Sequence, residues 1–288
     1  MNDDTAPPVP DPGPFQGLGL RIVSGIVLAA AAIGAVLSGG IFFSALVVLA
    51  VLLMIREWPE LCLAGAGARP LWRPQPPLAA AVFVALALAA LGLLVLYELR
   101  AAAVLAFAGV LVLPLFAGGS PRDRLLLGAG LPYIVLPSAA LLWLVAQPVV
   151  GPKTVLWLFA VVWATDIGGY LAGKSIGGPK LAPSISPNKT WAGFFGGTLL
   201  AAAAAAAFVP FAGGAALKLA GFGILVSLAS QAGDLLESAV KRHFAVKDSG
   251  SIIPGHGGIF DRLDGLLAAA PVLACLATAL GDLGFLWR

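Results

Sequence analysis

The sequence predicts an all-α polytopic integral membrane protein with about nine transmembrane helices, the amino terminus cytoplasmic and the carboxyl terminus outside. Three observations carry this expectation. Of 288 residues, 11 % are charged and 60 % hydrophobic, with a mean hydropathy of +0.98, whereas a soluble domain carries about 25 % charged residues. The apolar residues fall in repeated runs near the length that crosses a bilayer as a helix. Those runs do not alternate apolar and polar positions, which excludes a transmembrane β-barrel. The same composition excludes a soluble enzyme, a disordered chain and a coiled coil.

Residues 1–20 are expected as a disordered cytoplasmic tail, because the opening MNDDTAPPVPDPGP is acidic, Pro-rich and has nothing to bury. Residues 21–150 then form an N-terminal helical scaffold with about five spans near 22–37, 41–55, 79–97, 101–117 and 130–147. The first run has signal-peptide length. It is preceded only by Arg21 and followed almost at once by a second span across Ser38-Gly39-Gly40, so it reads as an uncleaved helix. In this half, polar groups are expected to stay in loops. Residues 151–288 supply four further spans near 153–172, 192–212, 216–236 and 265–286, with long loops at 173–191 and 237–264. The alanines from Ala201 to Ala207 read as a close-packing helix face. Cys62 and Cys275 read as small hydrophobes, since a disulfide framework or a metal site needs more cysteines or ligand spacing.

Nine spans starting inside place thirteen of the seventeen Lys and Arg residues on the cytoplasmic side. Only Arg100, Lys153, Lys218 and Arg288 fall outside, an asymmetry that matches the positive-inside rule. The net charge of +3 is scattered between apolar runs and forms no stripe for nucleic acid.

The two halves differ in chemistry. Ionisable residues cluster in and beside the spans after residue 150, and such groups are costly at membrane depth unless they serve a function. Asp166 lies in Thr165-Asp166-Ile-Gly-Gly-Tyr170, where glycines allow a neighbouring helix to approach; it is expected to line a polar pocket. The loop bearing Lys174, Lys180, Ser186, Lys189 and Thr190 places donors close to the start of the next helix. Two readings stand for it: a phosphate cradle or a basic loop touching anionic lipid heads. Asp234, Ser238 and Lys241 follow at i, i+4 and i+7, hence on one helix face. Asp261 and Asp264 sit one turn before the expected last span, after the Gly-rich Pro254-Gly255-His256-Gly257-Gly258. Carboxylates from separate helices with hydroxyls and cations nearby suit a hard divalent ion shared with substrate phosphates. The competing reading makes Asp234 and Asp261 surface partners of Lys241 and Arg262. For His256, a phosphate contact and a structural loop role stand equally.

The ordered set Ser238, Lys241-Arg242, Lys247-Asp248, Pro254 to Gly258 and Asp261-Arg262-x-Asp264 resembles the signature of bacterial phosphatidate cytidylyltransferases, the CDP-diacylglycerol synthases. The segments Leu181 to Trp191 and Asp166 to Tyr170 are similar to that family's other recurrent stretches, so the motifs cover about residues 160–265. The chain departs from many relatives at Ala192, where they carry a Glu after Thr-Trp, and position 192 is left out of the site. The resemblance implies transfer of the cytidylyl group of CTP to phosphatidate in phospholipid biosynthesis, with Mg²⁺ required and a second, monovalent cation not excluded. It implies metal binding by Asp234 and Asp261, with Ser238 and Asp264 completing or orienting that shell. Lys241, Arg242 and Arg262 are expected to neutralise phosphates, and Lys189 with Ser186 and Thr190 to hold the triphosphate or departing pyrophosphate. Lys247, Asp248, His256 and Asp166 are grouped with the nucleotide-binding residues. The expected partners are CTP, phosphatidate, membrane lipid and a second copy of the chain, and the expected location is the bacterial inner membrane with the active site facing the cytoplasm. Alternatives are a cytidylyltransferase for another lipid phosphate, a cation-coupled transporter using Asp166 and Asp234, and a non-catalytic scaffold.

Overall fold

A computed structural model describes residues 14–64, 78–250 and 257–288. The described helices are α1 (Pro14–Leu37), α2 (Gly40–Ala64), α3 (Leu78–Val95), α4 (Leu99–Val112), α5 (Pro121–Val145), α6 (Gly151–Ser175), α7 (Trp191–Ala206), the short α8 (Val209–Ala212), α9 (Ala216–His243) and α10 (Phe260–Ala279). Each of the nine expected runs contains a helix. Seven helices among the described residues are long and apolar enough to cross a membrane, while Gly25–Leu37 and Leu99–Leu115 are shorter apolar helices.

Several boundaries differ from the sequence expectation, each for a physical reason. Helix α1 begins at Pro14, inside the segment expected as a tail. Helix α2 runs nine residues past its expected end and carries Pro59 within it, so Glu57 lies in a helix long and apolar enough to cross a membrane rather than in a loop. The expectation that polar groups of the first half stay in loops is therefore wrong. Helix α5 starts at Pro121, nine residues early, because Ser120 and Asp123 form a reciprocal cap. The Ser120 hydroxyl accepts from Asp123 N–H at 3.2 Å, and Asp123 Oδ2 accepts from Ser120 N–H at 2.7 Å. Helix α9 continues into the expected loop as far as His243, and α10 starts at Phe260, which moves Asp261 onto its first turn and Asp264 just beyond it. Helix α10 also stops early, at Ala279; Gly281 then takes φ +95°, and Asp282 caps a 3₁₀ turn over Leu283–Trp287. Part of the loop at 173–191 is a hairpin of β1 (Lys180–Ala182) and β2 (Ser186–Thr190), antiparallel with Lys180 opposite Thr190 and Ala182 opposite Ser186.

The Ser120 cap yields a direct test. Ser120→Ala is expected to lower unfolding free energy by about 1 kcal/mol; an unchanged value by reversible unfolding in mixed micelles would show the cap idle.

Helix α7 packs along α6 and α9, α10 lies against α9 and α5, and α5 also contacts α2 and α4. The α6–α7 seam is made of glycines. A Cβ at Gly193 would stand 2.8 Å from Gly169 O, one at Gly196 2.2 Å from Ala172 Cβ, and one at Gly197 2.7 Å from Thr165 O. Only glycine lets these backbones meet. Cys62 is buried as expected, whereas Cys275 is exposed on α10; both are free thiols.

The cations separate to two ends. Lys153 Nζ donates to Ala212 O at 2.8 Å and stands 4.7 Å from the Trp287 ring, and Lys218 Nζ donates to Phe285 O at 2.7 Å. These are cations assigned to the outside by the charge rule, gathered around the last turn of the chain. At the other end, Lys174, Lys189 and Arg262 surround one cavity.

Candidate active site

That cavity has a volume of about 630 Å³, within the range of small-molecule sites. Helix α6 provides Thr165, Asp166, Gly169, Tyr170, Gly173 and Lys174 on one wall. The hairpin and the start of α7 provide Leu181, Asn188, Lys189, Thr190, Gly193 and Phe194, while α9 provides Gln231 and Asp234, and α10 Asp261, Arg262 and Asp264. Four carboxylates from three helices thus share one space with three cations.

The local structure explains why each side chain is there. Strand β2 runs straight into α7, and the Thr190 hydroxyl caps that helix by accepting from Gly193 N–H at 3.1 Å. This fixes Lys189 at the cavity edge, where its ammonium pairs with Asp234 Oδ2. Asp234 and Ser238, one turn apart on α9, are joined at 3.4 Å, as their i, i+4 spacing predicts.

Asp261 is held by four donors. Lys241 Nζ reaches its Oδ1 at 2.6 Å, while Oδ2 accepts from Gly258 N–H at 2.8 Å and from Ser249 N–H and Oγ–H at 2.9 Å each. Lys241 also stands 3.2 Å from Glu237 Oε1. The ion pairs therefore run between elements: Asp261 does pair with Lys241, as the competing reading has it, but in a mostly buried pair rather than on the surface, and Asp234 pairs with Lys189 instead.

Of the residues singled out in the sequence, Asp166, Lys189, Thr190, Asp234, Asp261, Arg262 and Asp264 line the cavity. Ser238 and Lys241 stand behind it, each bonded to a lining carboxylate. Arg242 instead donates to the backbone carbonyls of Ile185 and Val246, both at 3.2 Å, and so clasps the hairpin. Ser186 lies in that hairpin, opposite Ala182. Lys247 and Asp248 are exposed beyond the end of α9. His256 lies outside the described residues.

Sequence reasoning missed Gln231, one turn before Asp234. Its Nε2 donates to Thr198 Oγ1 at 3.0 Å and lies 3.3 Å from Ser227 Oγ, which accepts from Thr165 Oγ1 at 2.9 Å. Thr165 and Gln231 line the floor of the cavity, and Thr198 and Ser227 are bonded to them from behind. The cost argument applied to the aspartates holds for a mid-span glutamine and would have found it. His243, without supporting geometry in the sequence, has its Nε2 2.7 Å from Asp123 Oδ1 and ties the end of α9 to the cap of α5.

Hard oxygen donors, lysines poised on them and a hairpin leading into a helix N-terminus have the chemistry to hold a cation and an anion side by side. A family model described as the cytidylyltransferase family matches residues 19–280 of the 288-residue chain. The chain belongs to that family. Among named members of the cytidylyltransferase family, it is similar to the phosphatidate cytidylyltransferase of Brucella suis biovar 1 (strain 1330), with 49 % identity over 148 residues, 50 % of this chain and 54 % of the relative. It is also similar to the phosphatidate cytidylyltransferase of Staphylococcus aureus (strain COL), with 50 % identity over 129 residues, 44 % of this chain and 49 % of the relative. The chain spans about half the length of the curated relatives it matches.

Among the described residues, no three His, Cys, Asp or Glu side chains stand close enough to hold a metal ion by themselves. A small divalent cation bound through one or two carboxylates plus substrate phosphates needs no such cage. Asp234, Asp261 and Asp264 offer oxygens of the right chemical type to one cavity.

Proposed function

We propose that this protein transfers the cytidylyl group of CTP to phosphatidate at the cytoplasmic face of a bacterial inner membrane, giving CDP-diacylglycerol and pyrophosphate. The observation that carries this reading is a cavity at one end of the apolar helices, lined by Lys189, Arg262, Asp234 and Asp264 together, in a member of the cytidylyltransferase family. The segregation of cations supports nine spans, with the amino terminus cytoplasmic and the carboxyl terminus outside. Residues 21–150 then serve as scaffold and residues 151–288 as the catalytic region.

In the reaction, a phosphate oxygen of phosphatidate forms a bond to the α-phosphorus of CTP as the bond to the β-phosphate oxygen breaks, and pyrophosphate leaves with that electron pair. The nucleophile needs no strong base, because a phosphate monoester with a second pKa of about 6 is largely dianionic at neutral pH. The residues therefore position and neutralise. Lys189, released from Asp234 when phosphate arrives, binds the triphosphate, and Arg262 faces the other side of the same space. Asp234 and Asp261 would hold Mg²⁺, with Asp264 beside them and Ser238 orienting Asp234. When bound, that ion supplies charge neutralisation at the phosphates. The glycine seam and the cavity floor exclude bulk water from below.

The decisive assay supplies the full chain, in lipid nanodiscs, with radiolabelled CTP and phosphatidate, and Mg²⁺ either present or chelated. The expected result is Mg²⁺-dependent label in a CDP-lipid with release of pyrophosphate. Label only with another lipid phosphate changes the substrate and keeps the mechanism. No label with any lipid phosphate, from folded protein, removes the transferase reading.

Lys189→Ala tests the binding role. Losing a charge-assisted contact to the triphosphate is expected to raise KM for CTP about tenfold or more, at about 1.5–3 kcal/mol per contact, with a smaller change in kcat. An unchanged CTP dependence would take Lys189 out of the nucleotide site.

A further inference from the structure

Glu57 is wholly buried in α2, far in sequence from every residue that lines the cavity. Its carboxylate accepts from Ile259 N–H at 2.9 Å on Oε1 and 2.8 Å on Oε2, and from Phe260 N–H at 3.3 Å. These are amides at the start of α10, a helix whose own N-cap side chain makes no hydrogen bond. An acid from another helix thus caps α10, satisfying orphan amides and matching the positive end of the helix dipole.

The same carboxylate touches the site through one further group. The Ser249 hydroxyl lies 2.9 Å from Asp261 Oδ2 and 3.3 Å from Glu57 Oε2. The chain is wrapped closely around it: a Cβ at Gly258 would stand 2.1 Å from Ser249 Oγ and 2.6 Å from Glu57 Oε2, and one at Gly250 would stand 2.8 Å from Glu57 Oε1. Next door, Trp58 packs its ring against that of Phe260, centroids 5.3 Å apart and tilted by 57°, and donates from Nε1 to Leu127 O at 3.2 Å, locking α2 to α10 and α5.

We infer that Glu57 is a positioning residue of the cytidylyltransferase site, which sets the place of the Asp261 carboxylate through Ser249 and the first turn of α10. This rests on the proposed function for its catalytic consequence and on geometry alone for its structural one. The scaffold half is then part of the active site. Glu57 holds Ile259 and Phe260, and so keeps Asp261 Oδ2 on the Ser249 and Gly258 amides while Oδ1 stays with Lys241.

The test compares Glu57→Gln with Leu61→Ala, a buried change one turn further along α2 that destabilises packing without touching the carboxylate. Glutamine keeps the shape and one acceptor oxygen but turns an amide donor toward amide donors. Both variants are measured as full chains in nanodiscs. Glu57→Gln is expected to lower kcat about tenfold or more and to raise the half-saturating Mg²⁺ concentration, with KM for CTP unchanged. Leu61→Ala is expected to lower thermal stability with kcat and the Mg²⁺ midpoint unchanged per folded molecule. Amide hydrogen exchange supplies a readout that needs no turnover: in Glu57→Gln it should rise at Ser249 and Gly258, which bond Asp261, as well as at Ile259 and Phe260. A rise confined to Ile259 and Phe260, or an unchanged Mg²⁺ midpoint in an active enzyme, overturns the inference and leaves the proposed function standing. Wild-type protein that turns over no lipid phosphate removes the function, while exchange at Ser249 and Gly258 still decides whether Glu57 places Asp261.

Discussion

Asp234→Asn is expected to lower kcat by about 10²–10³-fold, the loss typical when one preorganised electrostatic group is removed from a transition state. The substitution keeps shape and one acceptor oxygen, so Ser238, 3.4 Å away, retains its bond. It removes the charge that pairs with Lys189 and that would help to hold Mg²⁺. Those losses act on different steps. Lys189 without its counter-ion is freer to bind triphosphate, so KM for CTP is expected to stay level or fall while kcat falls. The pair is only partly buried, with 26 % and 30 % of the two side chains exposed, so the effect on stability is expected to be under about 1 kcal/mol. Steady-state kinetics over CTP and Mg²⁺ read all three quantities. Turnover within a few-fold of wild type would remove Asp234 from the metal site, and a raised KM with normal kcat would reassign it to binding.

Much of this site was legible because its residues lie on regular helices within one stretch of chain. Asp234, Ser238 and Lys241 share a face by helical period alone, and the glycines after Asp166 announced the close approach of α7. The boundaries were less legible where the signal is not local. Nothing between Gly257 and Phe260 announces the start of α10, because its capping carboxylate comes from Glu57 in α2. Glu57 itself was hidden by its neighbours: Arg56, Pro59 and Glu60 read as the end of a span, yet Pro59 is accommodated inside α2. The cap of α5 is the contrary case. Ser120-Pro121-x-Asp123 is a local start signal with proline at the first helical position, masked by Arg122 and Arg124, whose charges are those of a loop between spans. The hairpin at Lys180–Thr190 is too short and polar to show an alternating pattern. The charge of Arg242 is plain in the sequence, whereas its place depends on the carbonyl of Ile185 in that hairpin.

The glycine seam between α6 and α7 makes the other large prediction, because it sets the width of the cavity. Asp166, Gly169 and Tyr170 on α6 face Thr190, Gly193 and Phe194 at the start of α7, and nothing larger than hydrogen separates the two backbones one turn below. A Cβ at Gly197 would stand 2.7 Å from Thr165 O and 3.3 Å from Gly169 N, short of the 3.4 Å at which ordinary contact begins. Both obstacles are backbone atoms, so no side chain can rotate away and the helices must part by most of an ångström. Overpacking of this kind costs about 1–3 kcal/mol. Misplacement of reacting groups by about 1 Å costs on the order of 10²-fold in rate. Gly197→Ala is therefore expected to lose about two orders of magnitude in kcat together with a drop in thermal stability. Gly221→Ala in α9 is the matched control, since a Cβ there meets nothing within 4 Å. By helix propensity it should stabilise by up to about 1 kcal/mol and leave turnover unchanged. Near-wild-type turnover in Gly197→Ala would mean that the seam yields without moving the cavity walls, and the catalytic geometry would then have to rest on α9 and α10 alone.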